Sequence, residues 1–131
     1  MTPSIAGPRP GLLPTVLRVD GWSTGLFGIA MVAVAPLLRD PLGLPVLVSL
    51  LFGVVMLIGG AILLAIARGG PARFAPAVVA VNALSAVGMT TLAVTDIFTL
   101  TTPGIAFLLA GAALVATFAA LEYVGLRRAD R

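Results

Sequence analysis

The sequence contains no cysteine and no histidine, and its eight basic residues are all arginine. The absence of cysteine and histidine excludes disulfides, thiol redox chemistry, histidine-ligated haem and the usual zinc sites. It also leaves the serines without a histidine, cysteine or lysine that could activate them as nucleophiles. We therefore expect no enzymatic activity, no cofactor and no metal site.

Charge is also scarce in this chain of 131 residues. Only 10% of the residues are charged, 60% are hydrophobic, and the mean hydropathy of +1.15 is too high for a water-soluble domain. The charges delimit four long charge-free stretches, at 21–38, 41–67, 74–95 and 97–121. Since about 20 helical residues cross a bilayer, the sequence predicts an all-α, transmembrane four-helix bundle embedded in lipid.

Prolines and glycines set the predicted boundaries within this bundle. Helix three is expected to carry Pro76 in its first turn. The spacing from Asp20 to Pro41 equals the spacing from Asn82 to Pro103, a repeat that favours two tandem helical hairpins derived by duplication. The predicted division is an irregular tail at 1–14, a transmembrane domain at 15–126 with helices at about 15–38, 45–67, 76–95 and 103–125, and a tail at 127–131.

The first helix also imitates a secretory signal. Arg18 precedes a short apolar stretch, and residues 33–35 form a small-x-small sequence typical of a cleavage site. Pro36 follows directly, where proline disfavours cleavage, so we expect the helix to be retained.

The arginines predict the orientation of the bundle. Arg39 lies on one side, whereas the other seven lie before helix one, between helices two and three, or at the C-terminus. Because cytoplasmic loops are enriched in arginine, this distribution predicts a multi-pass protein of the cell (plasma) membrane, the inner membrane where there are two, with both termini in the cytoplasm. The arginines are scattered at membrane boundaries instead of forming one face, so we expect no nucleic-acid binding.

Four polar residues are predicted to lie at one level near the cytoplasmic side. They are Arg18, Asp20, Asn82 and Glu122, and we expect Glu122 to pair with Arg18 while Asn82 donates a hydrogen bond nearby. One interpretation is a structural clamp between helices one and four, which we prefer. The other is a cytoplasm-facing polar pocket for an ion or a lipid headgroup.

Helix three has a further polar stripe. Asn82, Ser85, Met89 and Asp96 share one broad helical face, as a solute path through the bilayer would require. The middle of the stripe offers only Met89, and polar residues in membrane helices more often serve packing and interhelical hydrogen bonds. We favour the packing interpretation.

Small residues at helical spacing predict close helix packing. Gly21 and Gly25 form a GxxxG pair, and Ala112 and Ala116 line one side of helix four. The pattern leaves open whether these faces meet within one chain or between chains. We expect a small structural or accessory membrane protein that packs with itself or with a larger membrane complex. The alternative is a small transporter or lipid-handling protein that uses the polar level.

Two stretches carry a resemblance to a known group of proteins. Residues 17–30, LRVDGWSTGLFGIA, and residues 115–128, VATFAALEYVGLRR, resemble the ends of small four-helix membrane proteins of high-GC Gram-positive bacteria, whose function is unassigned. The resemblance also includes Asn82, but a glutamine is usual in that group at the position of Glu122. It implies the four-helix membrane fold and no particular activity.

Overall fold

The computed structural model describes residues 11–129, without the side chains of residues 71, 72 and 129. Most of the predicted N-terminal tail, and the last two residues of the C-terminal tail, lie outside this range. Within residues 11–129 the chain forms four α-helices: α1 Leu12–Leu42, α2 Val46–Gly69, α3 Pro71–Val94 and α4 Thr102–Ala129. All four are long and apolar enough to cross a membrane. The prediction of an all-α bundle in a multi-pass membrane protein is confirmed.

The helices pack as two antiparallel hairpins that meet through their first and last members. The most extensive contacts are between α1 and α2 and between α3 and α4, and α1 also packs along α4. By contrast, α2 and α3 touch only slightly. The termini end of the bundle holds Leu12, the α2–α3 connection and the end of α4. The loop end holds the turns inside the two hairpins.

α1 extends four residues beyond the predicted end at Leu38. Pro36 and Pro41 lie within its last two turns, where each proline removes one backbone hydrogen bond without ending the helix. The helix ends at Leu42 and is capped by Gly43, which has φ 73° and donates its N–H to the carbonyl oxygen of Arg39 at 2.8 Å. Glycine is favoured in this left-handed cap, so the chain leaves the helix at Gly43 and not at the predicted end.

α3 begins five residues before the predicted start at Pro76. Pro71 occupies the first turn of the helix, and Pro76 lies inside it. Proline suits the first turn because its missing N–H would have no intrahelical partner there. The longer helix places Asn82 three turns from the start of α3.

Thr101 ties the two hairpins together at the loop end. Its hydroxyl donates to the carbonyl oxygen of Pro41 at 2.6 Å and accepts the N–H of Gly104 at 3.0 Å, so it caps α4 while holding the end of α1. Its backbone N–H donates to the carbonyl oxygen of Leu42 at 3.2 Å. The rings of Phe27 and Phe107 also stack between α1 and α4, with centroids 5.7 Å apart.

Candidate functional site

Two buried acidic side chains and one partly buried amide meet between α1, α3 and α4. The Asn82 Nδ2 donates to the Asp20 Oδ2 at 3.0 Å and to the Glu122 Oε1 at 2.6 Å. The hydroxyl of Thr24, one turn along α1, donates to the Asp20 Oδ1 at 2.9 Å. We call Asp20, Thr24, Asn82 and Glu122 the carboxyl cluster.

The carboxyl groups of this cluster are shielded from the surroundings of the bundle. The exposed fraction of Asp20 is 3% and that of Glu122 is 0%, whereas Asn82 is partly buried. Asp20 is eight residues from the start of α1, and Glu122 is seven residues from the end of α4. At 1.5 Å per residue, both lie roughly 10–12 Å inside the termini end of the helices. The cluster is therefore inside the membrane-spanning segments.

Arg18 is not part of the carboxyl cluster. Its side chain is exposed, and within residues 11–129 it forms neither a salt bridge nor a hydrogen bond. The expected pairing of Glu122 with Arg18 is thus replaced by the hydrogen bond from Asn82. The physical reason is helical geometry: positions 18 and 20 point about 200° apart around α1, so turning Asp20 inward turns Arg18 outward.

Sequence reasoning missed Thr24. It lies four residues after Asp20, a spacing that places both side chains on one face of α1. A search for hydroxyl donors at this spacing from each acidic residue would have found it. The hydrogen bond satisfies the Asp20 oxygen that does not face Asn82.

One buried oxygen atom of the cluster has no hydrogen-bond partner among residues 11–129. Both oxygens of Asp20 accept hydrogen bonds, as does the Oε1 of Glu122, but the Glu122 Oε2 accepts none within the described part of the chain. An unsatisfied polar atom in an apolar interior is costly, so such an atom is a rare feature of a native structure. The Glu122 Oε2 is therefore the position in the cluster where a proton or a hydrogen-bond donor would be stabilised.

The electrostatics of the cluster are unfavourable for two charged carboxylates. Asp20 Oδ2 and Glu122 Oε1 lie 3.0 and 2.6 Å from the same Asn82 Nδ2, so their separation cannot exceed the sum of these two distances. Two unit negative charges no more than about 5.6 Å apart repel by at least about 3 kcal/mol at an effective dielectric constant of about 20. No arginine bonds either carboxyl group within residues 11–129.

The polar stripe predicted along α3 does not continue past the cluster. Ser85 and Asp96 are exposed, and the terminal methyl group of Met89 fills the space beside Gly111 on α4. These positions leave Asn82 as the stripe residue that bonds other helices. They favour the packing interpretation of the stripe over a solute path.

The predicted small-residue positions divide between the interior and the surface. A Cβ atom on Gly21 would lie 3.1 Å from the Gly60 carbonyl oxygen, and one on Gly60 would lie 2.7 Å from the Gly25 nitrogen, so the GxxxG pair packs α1 on α2 within one chain. On α4, Ala112 is buried and Ala116 is exposed.

Two cavities lie outside the carboxyl cluster. One, of about 580 Å³, is at the loop end and is lined by polar groups that include Arg39, Asp40 and Thr101. The other is an apolar groove of about 470 Å³ between α3 and α4. Neither cavity is lined by a residue of the cluster.

Metal ligation and similarity to known proteins give no further assignment. Within residues 11–129, no three histidine, cysteine, aspartate or glutamate side chains are grouped as a metal site would require.

No family model, no curated protein and no solved structure matches the chain. The resemblance to small four-helix membrane proteins stays a prediction.

Proposed function

We propose that the protein has a structural or accessory role in the membrane, packing with itself or with a larger membrane complex. The observation that supports this role is the open groove between α3 and α4. Small and hydroxyl-bearing side chains form most of its wall, and it is lined by Ala86, Val87, Thr90, Thr91, Leu109, Ala112, Ala113 and Ala116.

The chemistry of the groove fits a transmembrane helix. Small residues let helix backbones approach closely, which is how helices gain packing energy in lipid. The hydroxyls of Thr90 and Thr91 already donate to backbone carbonyls of their own helix at 2.8 Å. An apolar helix could therefore pack closely in the groove. It would not need to supply hydrogen bonds to these two hydroxyl groups.

Replacing Ala116 by tryptophan is expected to fill the groove and weaken the complex. Overpacking a tight contact costs roughly 1–3 kcal/mol, which corresponds to a loss of association of about 5-fold to 150-fold. The measurement is native gel electrophoresis of membranes solubilised in mild detergent. Val55→Trp on the exposed face of α2 is the matched control, since Val55 is 65% exposed. The proposal would be contradicted by equal amounts of complex in both variants. It would also be contradicted if the wild-type protein always migrated as a single chain without partners.

We also propose that the protein lies in the cell (plasma) membrane with both termini in the cytoplasm. Five described arginines lie toward the termini end of the bundle, whereas Arg39 lies at the loop end. This asymmetry supports the orientation through the excess of arginine in cytoplasmic segments. The five are Arg18, Arg68, Arg73, Arg127 and Arg128.

Single cysteines can test this orientation, because the chain has no natural cysteine. Gly69→Cys at the termini end meets open space, since no described atom beyond its chain neighbours and adjacent helix backbone lies within 4 Å of a Cβ built there. Thr99→Cys is exposed at the loop end. A membrane-impermeant maleimide applied to intact cells should label position 99 and spare position 69 until the cells are opened. The reverse pattern would refute cytoplasmic termini.

A small transporter or lipid-handling protein is the second candidate function. It is favoured by the Glu122 Oε2, which has no partner in the part of the chain that the structure describes, since ionisable groups inside membranes often mark ion or substrate pathways. It would require access to Glu122, which neither cavity provides. Uptake of solutes into liposomes by the purified wild-type protein, lost in Glu122→Gln, would support this candidate over the accessory role.

A further inference from the structure

We propose that the carboxyl cluster is a proton-binding site in which the carboxyl group of Glu122 holds one proton beside Asp20 at neutral pH. The inference does not depend on the accessory role or on any partner. It rests on the geometry of the cluster: two buried carboxyl groups receive hydrogen bonds from one amide nitrogen, and one buried oxygen atom receives none within the described residues.

Within residues 11–129, the groups that face Glu122 supply no compensating positive charge. From α1 it meets Asp20, an acid, and from α3 it meets the neutral amide of Asn82. Over the described range, α2 does not pack against α4. On α4 itself, the guanidinium of Arg127 lies over the ring of Tyr123 and donates to its hydroxyl at 3.1 Å. A bound cation is the remaining way to neutralise one of the two carboxylates.

The geometry favours a proton over a metal ion. The Asn82 Nδ2 lies between the two acids and presents its hydrogens to them, so the space that a metal ion would take is already occupied by a donor. Hard metal ions take about six or more oxygen ligands, whereas the described side chains of this cluster have a single fully buried oxygen without a hydrogen bond. A proton needs only one oxygen to hold it.

Binding is a simple acid–base step. One carboxylate and one proton from water combine to a carboxylic acid, and no electron is transferred. The Glu122 Oε2 is the oxygen that takes the proton, because both oxygens of Asp20 and the Oε1 of Glu122 already accept hydrogen bonds within the described residues. The predicted product is a pair with one negative charge that is stabilised by Asn82 and Thr24.

Infrared spectroscopy of the full-length protein in lipid nanodiscs tests this site. At neutral pH the wild type should show the C=O stretch of a protonated carboxylic acid, and the band should be lost as the pH is raised. Glu122→Gln should lose the band, because the amide replaces the carboxyl group without titrating. Asp96→Asn, at an exposed position outside the cluster, is the control and should retain it.

Asp20→Asn provides a second variant in case Glu122→Gln does not fold. It should shift the frequency of the band or abolish it, because an amide then replaces the acidic group beside the protonated carboxyl group. A folded wild type with no such band at neutral pH would overturn the proposal. A band that is unchanged in both cluster variants would also overturn it, since the proton would then reside elsewhere.

Discussion

Replacing Asn82 by leucine is expected to destabilise the folded protein by about 3 kcal/mol. The substitution removes the donor that bonds both Asp20 and Glu122 at 3.0 and 2.6 Å while keeping a side chain of similar size. Two buried carboxyl groups are then left facing each other without a common partner. The measurement is the free energy of unfolding in mixed detergent micelles, followed by circular dichroism.

Ser85→Ala is the matched control for this experiment. Ser85 lies nearly one turn further along α3, is exposed, and forms no hydrogen bond within residues 11–129. Its replacement should change the stability by less than about 0.5 kcal/mol. Equal stabilities for the two variants would show that the cluster does not hold the helices together.

Replacing Gly60 by alanine is expected to cost about 2 kcal/mol by forcing α1 and α2 apart. A Cβ atom at this position would lie 2.7 Å from the Gly21 carbonyl oxygen and 2.7 Å from the Gly25 nitrogen. These are backbone atoms, which cannot move aside as the end of a flexible side chain could. The loss should appear as a lower midpoint of thermal unfolding.

The neighbouring Gly59 offers an unusually close control. Apart from its chain neighbours and the adjacent backbone of its own helix, no described atom lies within 4 Å of a Cβ built on Gly59, although Gly59 occupies the same turn of α2. Gly59→Ala should be neutral or slightly stabilising, because alanine is the better helix former. A similar loss in both variants would contradict the close approach of α1 and α2 at Gly60.

The helices could be predicted from sequence because hydropathy and charge suffice to locate them. Their ends were harder to place, since proline fits both the first turn of a helix and, with a local loss of hydrogen bonding, its interior. Pro71 rather than Pro76 begins α3, and α1 continues through Pro36 and Pro41. Spacing alone does not distinguish these roles.

Residue spacing along the helices predicts the partners of Asp20 and Glu122 only in part. Because Arg18 and Asp20 point in nearly opposite directions around α1, both cannot face the same point, but the spacing does not decide which one turns inward. That choice depends on how α1 rotates against α4, and hence on packing such as that of Gly21 against α2 and Phe27 against Phe107. The level of Asp20, Asn82 and Glu122 could be predicted, whereas the bridge through Asn82 required the structure.

The role of Asn82 as the bridge between helices is tested most directly by a double-mutant cycle of unfolding free energies. The variants are Asn82→Leu, Glu122→Leu and the two together. Because each single change removes the same 2.6 Å hydrogen bond, the double variant should lose less stability than the sum of the two losses, by about 1 kcal/mol or more. Losses that add to within about 0.3 kcal/mol would contradict a direct interaction between Asn82 and Glu122.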